Sequence, residues 1–263
     1  MKSNEPAYVE NQYRTSQTLR QRISLHELYS TQPQPFADWI FKQYALRPGM
    51  RVLEVGCGTG NAWRGRAEHI PEDVHITLTD VSQALVEESR AGLCQDERFS
   101  FENADVQTLR FADAAFDVVI ANMMLYHVPD LARAVDEIGR VLKPDGVLYA
   151  ATMGEGGIHG YLMETLPEIG ASVDLSAWPF TLQNGAASLL RVFPEVTVRR
   201  REDGLRITRI EDWLDYVASL SFFRDRPFPR EQAMRCYQAK MHDGVLWVPK
   251  EYGLFIARKA SRA

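Results

Sequence analysis

The sequence predicts an α/β fold in which a doubly wound, mostly parallel sheet ends with an antiparallel last strand. The first observation behind this prediction is an apolar strand, Val52–Val55, that runs directly into a cluster of glycines. The second is an apolar run at residues 74–79 that ends in a carboxylate, Asp80. The third is the alternation of strand and helix patterns over residues 49–153, which is typical of a parallel sheet with helices on both faces.

The individual elements follow from the spacing of apolar residues along the chain. Residues 1–48 are predicted to form a mainly helical N-terminal cap. In the core, residues 49–153, strands are predicted near 51–55, 74–79, 98–102, 116–121 and 146–151, with helices near 60–70, 82–93 and 131–142. Residues 154–263 are predicted to add lid helices near 157–170, 182–192, 210–220 and 230–241, and two final strands at 195–201 and 252–258.

The composition is that of a globular chain. Charged residues make up 25% and hydrophobic residues 45% of the 263 positions, which suits one large domain or a core with an added subdomain. The net charge of −5 argues against a general affinity for nucleic acid, which needs a basic face. A basic run, Arg199–Arg201, lies on a predicted strand and is expected to form a solvated face. No nucleic-acid partner is therefore expected.

No targeting or membrane segment is expected either. Residues 1–6 lack an apolar region, and the longest apolar stretch, 118–128, is short and is broken by Asn122 and His127. The three cysteines, at positions 57, 94 and 236, have no metal-ligand spacing and leave an odd count. We therefore predict a cytoplasmic protein that binds no metal and contacts no membrane.

The glycine cluster and the acids around it predict the kind of ligand. Glycine lets the chain turn sharply and lets a ligand lie against bare backbone, and an acid at the tip of the next strand accepts hydrogen bonds from ribose hydroxyls. Gly56, Gly58 and Gly60 do not have the Gly-x-Gly-x-x-Gly spacing of dinucleotide sites, so a dehydrogenase is disfavoured. Glu54 would repel a pyrophosphate but attract an ammonium group. S-adenosylmethionine, with an adenosine, an ammonium and no phosphate, fits this Rossmann-like pocket.

These residues resemble the class I, S-adenosylmethionine-dependent methyltransferases. Glu54 and the three glycines match that family's first motif, and Asp80 matches its ribose-binding acid. Residues 103–106 resemble the third loop, 116–122 the fourth strand, and 142–148 the turn into the fifth strand. The resemblance implies S-adenosyl-L-methionine as cofactor and S-adenosyl-L-homocysteine as product. It implies a cofactor site made of Glu54, Gly56, Cys57, Gly58, Gly60, Asp80, Val81, Ala104, Asp105, Val106 and Asn122.

Several of these residues have a second interpretation. Asp80 is compatible with capping the helix that follows it as well as with binding ribose. Glu54 is expected either to contact the ammonium or to stabilise the loop. Asp105 is expected to accept the adenine amino group, and Asn122 to face the methionine part. His127, directly after the fourth strand, is interpreted either as a general base or as part of a loop-shaping turn in which Asp130 caps the next helix.

Large apolar residues of the predicted lid, mostly aromatic, are candidates for a roof over the methyl acceptor; most are expected to pack the lid onto the core, and about two or three to reach the ligand. They are Tyr161, Met163, Trp178, Phe180, Trp213, Tyr216, Phe222 and Phe223. Polar residues of the cap are candidates for closing the cofactor site, the alternative being a solvated amphipathic helix. They are Tyr13, Arg14, Arg22, His26 and Tyr29.

The resulting hypothesis is a methyltransferase acting on an oxygen, nitrogen or carbon nucleophile of a small natural-product or quinone-like molecule. It resembles the ubiquinone- and menaquinone-type enzymes. One alternative is methylation of RNA or a protein side chain, against which stand the acidic balance and the sequence Asn-Met-Met-Leu at 122–125 in place of Asn/Asp-Pro-Pro-aromatic. Another is a non-catalytic protein that binds S-adenosylmethionine. The oligomeric state is left open.

Overall fold

The centre of the molecule is a seven-stranded sheet with the order β3-β2-β1-β4-β5-β7-β6. The computed structural model describes residues 16–171, 178–223 and 226–261. Within them, β7 pairs antiparallel with both β5 and β6, and the pairs among β1 to β5 are parallel. The strands are β1 (Arg51–Val55), β2 (His75–Asp80), β3 (Phe99–Asn103), β4 (Phe116–Asn122), β5 (Leu142–Met153), β6 (Glu195–Ile207) and β7 (Leu246–Arg258). The predicted α/β, Rossmann-like fold is confirmed.

Helices cover the sheet and extend beyond it. They are α1 (Ser16–Tyr29), α2 (Phe36–Phe41), α3 (Gln83–Leu93), α4 (Leu131–Val141), α5 (Ile158–Thr165), α6 (Gly185–Leu189), α7 (Ile210–Ala218) and α8 (Arg230–Ala239). The start of α4 is fixed by Asp130, whose side chain accepts a hydrogen bond from the Arg133 backbone N–H at 3.0 Å. Across the described ranges, no helix has the length and apolar character needed to cross a bilayer.

The helix predicted near residues 60–70 is wrong. Gly60 and Gly65 adopt φ values of +74° and +71°, a left-handed conformation that ends any helical run. Between them the chain turns so that Trp63 becomes buried, with 1% of its surface exposed. A single short 3₁₀ turn, Ala67–His69, is the helical structure that the described chain forms there. The bend between Gly60 and Gly65 places the indole of Trp63 against Glu54, just before the glycine loop.

Strands β6 and β7 are longer than the sequence predicts. Each has thirteen residues, and their pairing runs without interruption from Glu195 opposite Arg258 to Ile207 opposite Leu246. The extra residues carry charges that hide the strand pattern. The expected solvated face is wrong for Arg201, whose side chain is 4% exposed, whereas Arg199 and Arg200 are exposed as predicted.

Three clusters of buried side chains make up the core. Two lie on opposite faces of the sheet, one beneath α4 and α6 and the other beside α2. The third lies between α1, α5, α7, α8 and the extended halves of β6 and β7. Most of the aromatic residues proposed as an acceptor roof belong to this third cluster, where they pack against one another: Tyr161, Trp213, Tyr216, Phe222 and Phe223. The lid thus has a hydrophobic core of its own.

Candidate cofactor and acceptor site

A cavity of about 310 Å³ opens at the carboxyl ends of β1, β2 and β4. In a parallel sheet this is the edge where ligands bind, because the strand order reverses there. The cavity brings together nearly all of the residues singled out in the sequence: Glu54, Gly56, Cys57, Gly58, Asp80, Val81, Ala104, Asp105, Val106, Asn122 and His127.

Gly60 is the predicted site residue that the cavity does not include. It faces α3, where a Cβ atom would lie 2.7 Å from Ser89 Oγ. Gly56 does line the cavity, and there a Cβ atom would lie 2.8 Å from the side chain of Met124. The two glycines therefore have different uses: Gly60 permits close packing of the helix, and Gly56 keeps the floor of the cavity bare.

Asp80 joins the glycine loop to the second strand. Its Oδ2 accepts a hydrogen bond from the Gly58 N–H at 3.0 Å, and its Oδ1 accepts one from the Ser82 N–H at 2.9 Å. Burial raises the pKa of the carboxyl, while the backbone donors act to lower it. Ser82 is the residue at the N-cap position of α3, so Asp80 supports the start of the helix and also faces the cavity.

Glu54 is buried at the base of the cavity, and both of its oxygens have protein donors. Oε2 accepts a hydrogen bond from Trp63 Nε1 at 2.5 Å, and Oε1 accepts one from Asn122 Nδ2 at 2.9 Å. Burial raises the pKa of Glu54 to about 7, although these hydrogen bonds act to lower it. Tyr44, whose hydroxyl accepts a hydrogen bond from Asn122 Nδ2 at 2.8 Å, completes the network.

One polar atom in this network has no partner. Asn122 Oδ1 is buried and accepts no hydrogen bond from any residue that the structure describes. Unpaired buried polar atoms are costly, so one at a cavity wall indicates a missing ligand donor. An ammonium group supplies such a donor and also a charge opposite to that of Glu54. The residues present therefore fit the amino-acid part of S-adenosylmethionine.

The loop that carries Asp105 is held in place by a residue that the sequence analysis did not select. Gln107 donates to Asp105 Oδ1 through its backbone N–H at 2.9 Å and through Nε2 at 3.0 Å. Its Oε1 accepts a hydrogen bond from the Asp130 N–H at 3.0 Å, which ties this loop to the start of α4. Gln107 also lines the cavity. A glutamine in a polar loop carries no sequence signal for such a role.

His127 also lines the cavity. It ends a short 3₁₀ turn, Leu125–His127, and its backbone N–H donates to the Met124 carbonyl at 2.9 Å. The imidazole lies 4.4 Å from the ring of Tyr126, which in turn stacks on Trp178 at 4.7 Å. The turn predicted for this segment and the helix cap on Asp130 are both present. Trp178 thus packs from the lid against the turn that carries His127.

The roof is apolar and differs from the sequence-based expectation. It consists of Ile23, Phe36, Ala37 and Ile40 from the cap, together with Met123, Met124, Val128 and Pro129. The polar residues expected there point elsewhere. Tyr29 donates to Asp212 Oδ2 at 2.5 Å, and His26 lies 3.3 Å from the Tyr252 hydroxyl. Tyr13 and Arg14 lie outside the described residues, as does the side chain of Arg22.

The charge of the cavity is negative. Its charged lining residues are Glu54, Asp80 and Asp105, and within the described ranges no lysine or arginine lines it. Three carboxylates in the lining favour a cation, and the many apolar lining residues favour a hydrophobic molecule. The arrangement is suited to a cofactor that carries positive charge and an acceptor that does not carry negative charge.

Comparison with known proteins agrees with this geometry. A family model described as a methyltransferase domain matches residues 53–150. The chain is 38% identical over 106 residues to 27-O-demethylrifamycin SV methyltransferase of Amycolatopsis mediterranei, a stretch that covers 39% of this chain and 38% of that protein. It is 31% identical over 109 residues to demethylmenaquinone methyltransferase of Staphylococcus aureus, covering 41% and 45%. The match thus spans less than half the length of either relative.

Solved structures share the fold. The YcgJ protein of Bacillus subtilis superposes with a TM-score of 0.61 at 18% identity, covering 86% of this chain and 98% of that one. A phosphoethanolamine N-methyltransferase of Haemonchus contortus, solved in complex with S-adenosyl-L-methionine, gives a TM-score of 0.60 at 15% identity, covering 99% and 60%. The matched domain coincides with the strands that build the cavity. The methyltransferase domain matched at residues 53–150 and the curated relatives together support a class I, S-adenosylmethionine-dependent methyltransferase.

Proposed function

We propose that this chain transfers a methyl group from S-adenosylmethionine to an oxygen, nitrogen or carbon nucleophile of a small, apolar, natural-product or quinone-like molecule. The observation that carries the proposal is the lining of the cavity, which combines three carboxylates with many apolar side chains. Asp80 and Asp105 would hold the ribose and adenine, and Glu54 with Asn122 would hold the ammonium. The apolar roof would hold the acceptor beside His127.

Methyl transfer from a sulfonium requires few catalytic groups from the protein. The sulfonium of the cofactor supplies an already activated methyl group. The residues of this chain bind the two molecules, keep the acceptor in line with the methyl group and exclude water, which together supply much of the rate of a transfer between two bound molecules. Where the nucleophile is a hydroxyl, His127 would accept its proton, since a neutral imidazole nitrogen is able to act as a general base.

The names of the two relatives described above support the choice of acceptor. One is named for a rifamycin precursor and the other for a menaquinone precursor. The charge of the cavity narrows the choice further, because a carboxylate or phosphate on the acceptor would meet Glu54, Asp80 and Asp105 with no lysine or arginine of the described lining to pair with it. We therefore expect a neutral acceptor. A cytoplasmic location, which nothing in the fold addresses, stays a prediction.

The test of this function is cofactor turnover with matched acceptors. Formation of S-adenosylhomocysteine is measured with a panel of neutral phenols and quinols, each paired with an analogue that carries a carboxylate. We expect turnover with members of the neutral set and a loss with the charged analogues. Turnover confined to RNA or protein substrates would support the macromolecular alternative, and binding without turnover of any acceptor would support a non-catalytic role.

Replacing His127 with alanine is expected to lower kcat for a hydroxyl acceptor by about 10²–10⁴-fold, because the general base is lost. The affinity for S-adenosylhomocysteine should stay within about twofold, since the cofactor end of the cavity is unchanged. Steady-state kinetics and calorimetric titration measure the two effects. The matched control is His69→Ala, on the 3₁₀ turn near Trp63 and outside the cavity lining. An unchanged kcat in His127→Ala would assign His127 to loop structure instead.

A further inference from the structure

The buried indole of Trp63 lies directly against the carboxylate of Glu54. Its Nε1–H donates to Oε2 at 2.5 Å, and the other oxygen, Oε1, accepts from Asn122 Nδ2 at 2.9 Å. One donor on each oxygen leaves the carboxylate little freedom to rotate. Beside it, Asn122 Oδ1 is buried and without a partner among the described residues. The carboxylate and this amide oxygen therefore present a fixed pair of acceptors at the wall of the cavity.

The backbone turn and the surrounding side chains both fix the position of the Trp63 indole. Trp63 sits in the turn between Gly60 and Gly65, both with positive φ, and its ring is surrounded by other aromatic rings. The centroids of Phe41, Tyr44 and Phe99 lie 5.9, 6.1 and 5.8 Å from that of Trp63. Packing on several sides fixes the direction of the indole N–H, as preorganisation of a binding group requires.

We propose that Trp63 is a positioning residue that holds the Glu54 carboxylate oriented toward the ammonium group of S-adenosylmethionine and favours its charged form, an inference that rests on the proposed function. Trp63 itself is absent from the cavity lining and acts through Glu54. A hydrogen bond to the charged form of an acid favours that form, and at a buried site this matters because burial favours the neutral form. Without the indole N–H, a larger fraction of Glu54 would be protonated near neutral pH, and the ammonium would meet less negative charge.

The surroundings of Glu54 leave few other groups to titrate near neutrality. Burial raises the pKa of Cys57 and of Tyr44, so both stay uncharged at neutral pH. The negative charge of Asp80 acts to raise the pKa of Glu54, in the same direction as its burial. The titratable or charged groups in this neighbourhood are Asp80, Cys57, Tyr44, and, beyond Tyr44, Tyr149 and Arg66.

The test compares the wild-type protein with Trp63→Phe, which removes the N–H and keeps an aromatic ring. The dissociation constant of S-adenosylhomocysteine is measured by calorimetry from pH 5.5 to 9. Loss of the donor raises the pKa of Glu54 further, so binding by the variant should require a higher pH. We expect binding about tenfold weaker than that of the wild type at the acid end of the range, the equivalent of one pKa unit, and a ratio that falls toward one as the pH rises and Glu54 ionises in both proteins. The amino group of the ligand titrates equally for both proteins and cancels in the ratio.

A ligand control separates this role from simple packing. 5′-Deoxy-5′-methylthioadenosine shares the nucleoside but lacks the ammonium, so Trp63→Phe should leave its affinity within about twofold. The protein control is Trp213→Phe, a buried tryptophan in the separate lid core. In a Glu54→Gln background the Trp63 substitution should have no pH-dependent effect, because the group that titrates is gone. Trp63→Leu is a second variant without the donor, for use if Trp63→Phe does not fold.

The outcomes are distinct. A variant-to-wild-type ratio of dissociation constants that is largest at low pH and falls toward one at high pH for S-adenosylhomocysteine, and is flat for methylthioadenosine, supports the inference. An equal loss for both ligands at every pH overturns it and leaves Trp63 a packing residue, with the proposed function intact. Absence of binding to the folded wild-type protein overturns the inference and the proposed function together.

Discussion

Replacing Asp203 with alanine is expected to lower the free energy of unfolding by about 3–5 kcal/mol, the effect of removing one partner of a buried ion pair. Asp203 and Lys250 are almost completely buried, and their charged atoms are 2.6 Å apart. Arg201, also buried, places its Nε 3.6 Å from the same carboxylate. Without Asp203 two cations remain in the interior with no anion to compensate them.

The Asp203 carboxylate also connects the N-terminal cap to the lid through hydrogen bonding. Asp203 Oδ1 accepts a hydrogen bond from Ser30 Oγ at 2.7 Å, directly after α1. Arg201 donates to the Gln34 carbonyl and lies over the rings of Trp39 and Phe36 at 5.7 and 6.0 Å. Because Phe36 lines the cavity, we expect weaker cofactor binding in Asp203→Ala as well as lower stability.

Urea unfolding of Asp203→Ala at pH 7 measures the effect, with the neighbouring exposed Glu202→Ala as a control that should change stability by about 0.5 kcal/mol or less. The pH dependence follows from the pKa of Asp203. Burial acts to raise it, but the hydrogen bonds from Lys250 and Ser30 outweigh burial and the net pKa is lowered. A lowered pKa stabilises the fold above the ordinary value near ~3.9 and loses that contribution as the pH falls through the folded-state pKa. Equal stability of the two variants at pH 7 would contradict this account of the cluster.

Replacing Asp80 with asparagine is expected to weaken S-adenosylhomocysteine binding by about 10²-fold. Hydrogen bonds to a charged acceptor contribute about 1.5–3 kcal/mol each, and the substitution weakens those to the ribose as well as those from Gly58 and Ser82. The control is Asp136→Asn, on the exposed face of α4, for which no change in affinity is expected. Calorimetric titration gives both values, and thermal unfolding shows whether the fold is kept. Wild-type affinity in Asp80→Asn would remove the ribose assignment.

The cofactor end of the site could be predicted because its residues follow strand ends in the sequence. Glu54 lies near the end of β1 and the glycine loop follows it, while Asp80 ends β2 and Asn122 ends β4. Since the carboxyl ends of parallel strands meet at one edge, a strand assignment alone brings such residues together. The strand pattern depends only on neighbouring residues in the sequence, so it was enough to predict which residues meet at the cavity. Gly60 is the predicted cofactor-site residue that does not line it.

The remainder depends on contacts between distant parts of the chain. Ile23 and Phe36 roof the cavity, but apolar residues on short helices have the same pattern whether they face a ligand or a core. Trp63 contacts Glu54 only because two glycines break the helix that periodicity favours there. The side chains of Arg201, Asp203 and Lys250 are buried together because they pair with one another. No local sequence pattern indicates such a pairing.

The most direct test of the central claim is calorimetric titration of the wild-type protein with S-adenosylmethionine, S-adenosylhomocysteine and NADH. An acidic cavity without a pyrophosphate site predicts micromolar binding of the two sulfur nucleosides and no binding of NADH. Failure of well-folded protein to bind either sulfur nucleoside, or a preference for NADH, would contradict the assignment of this cavity.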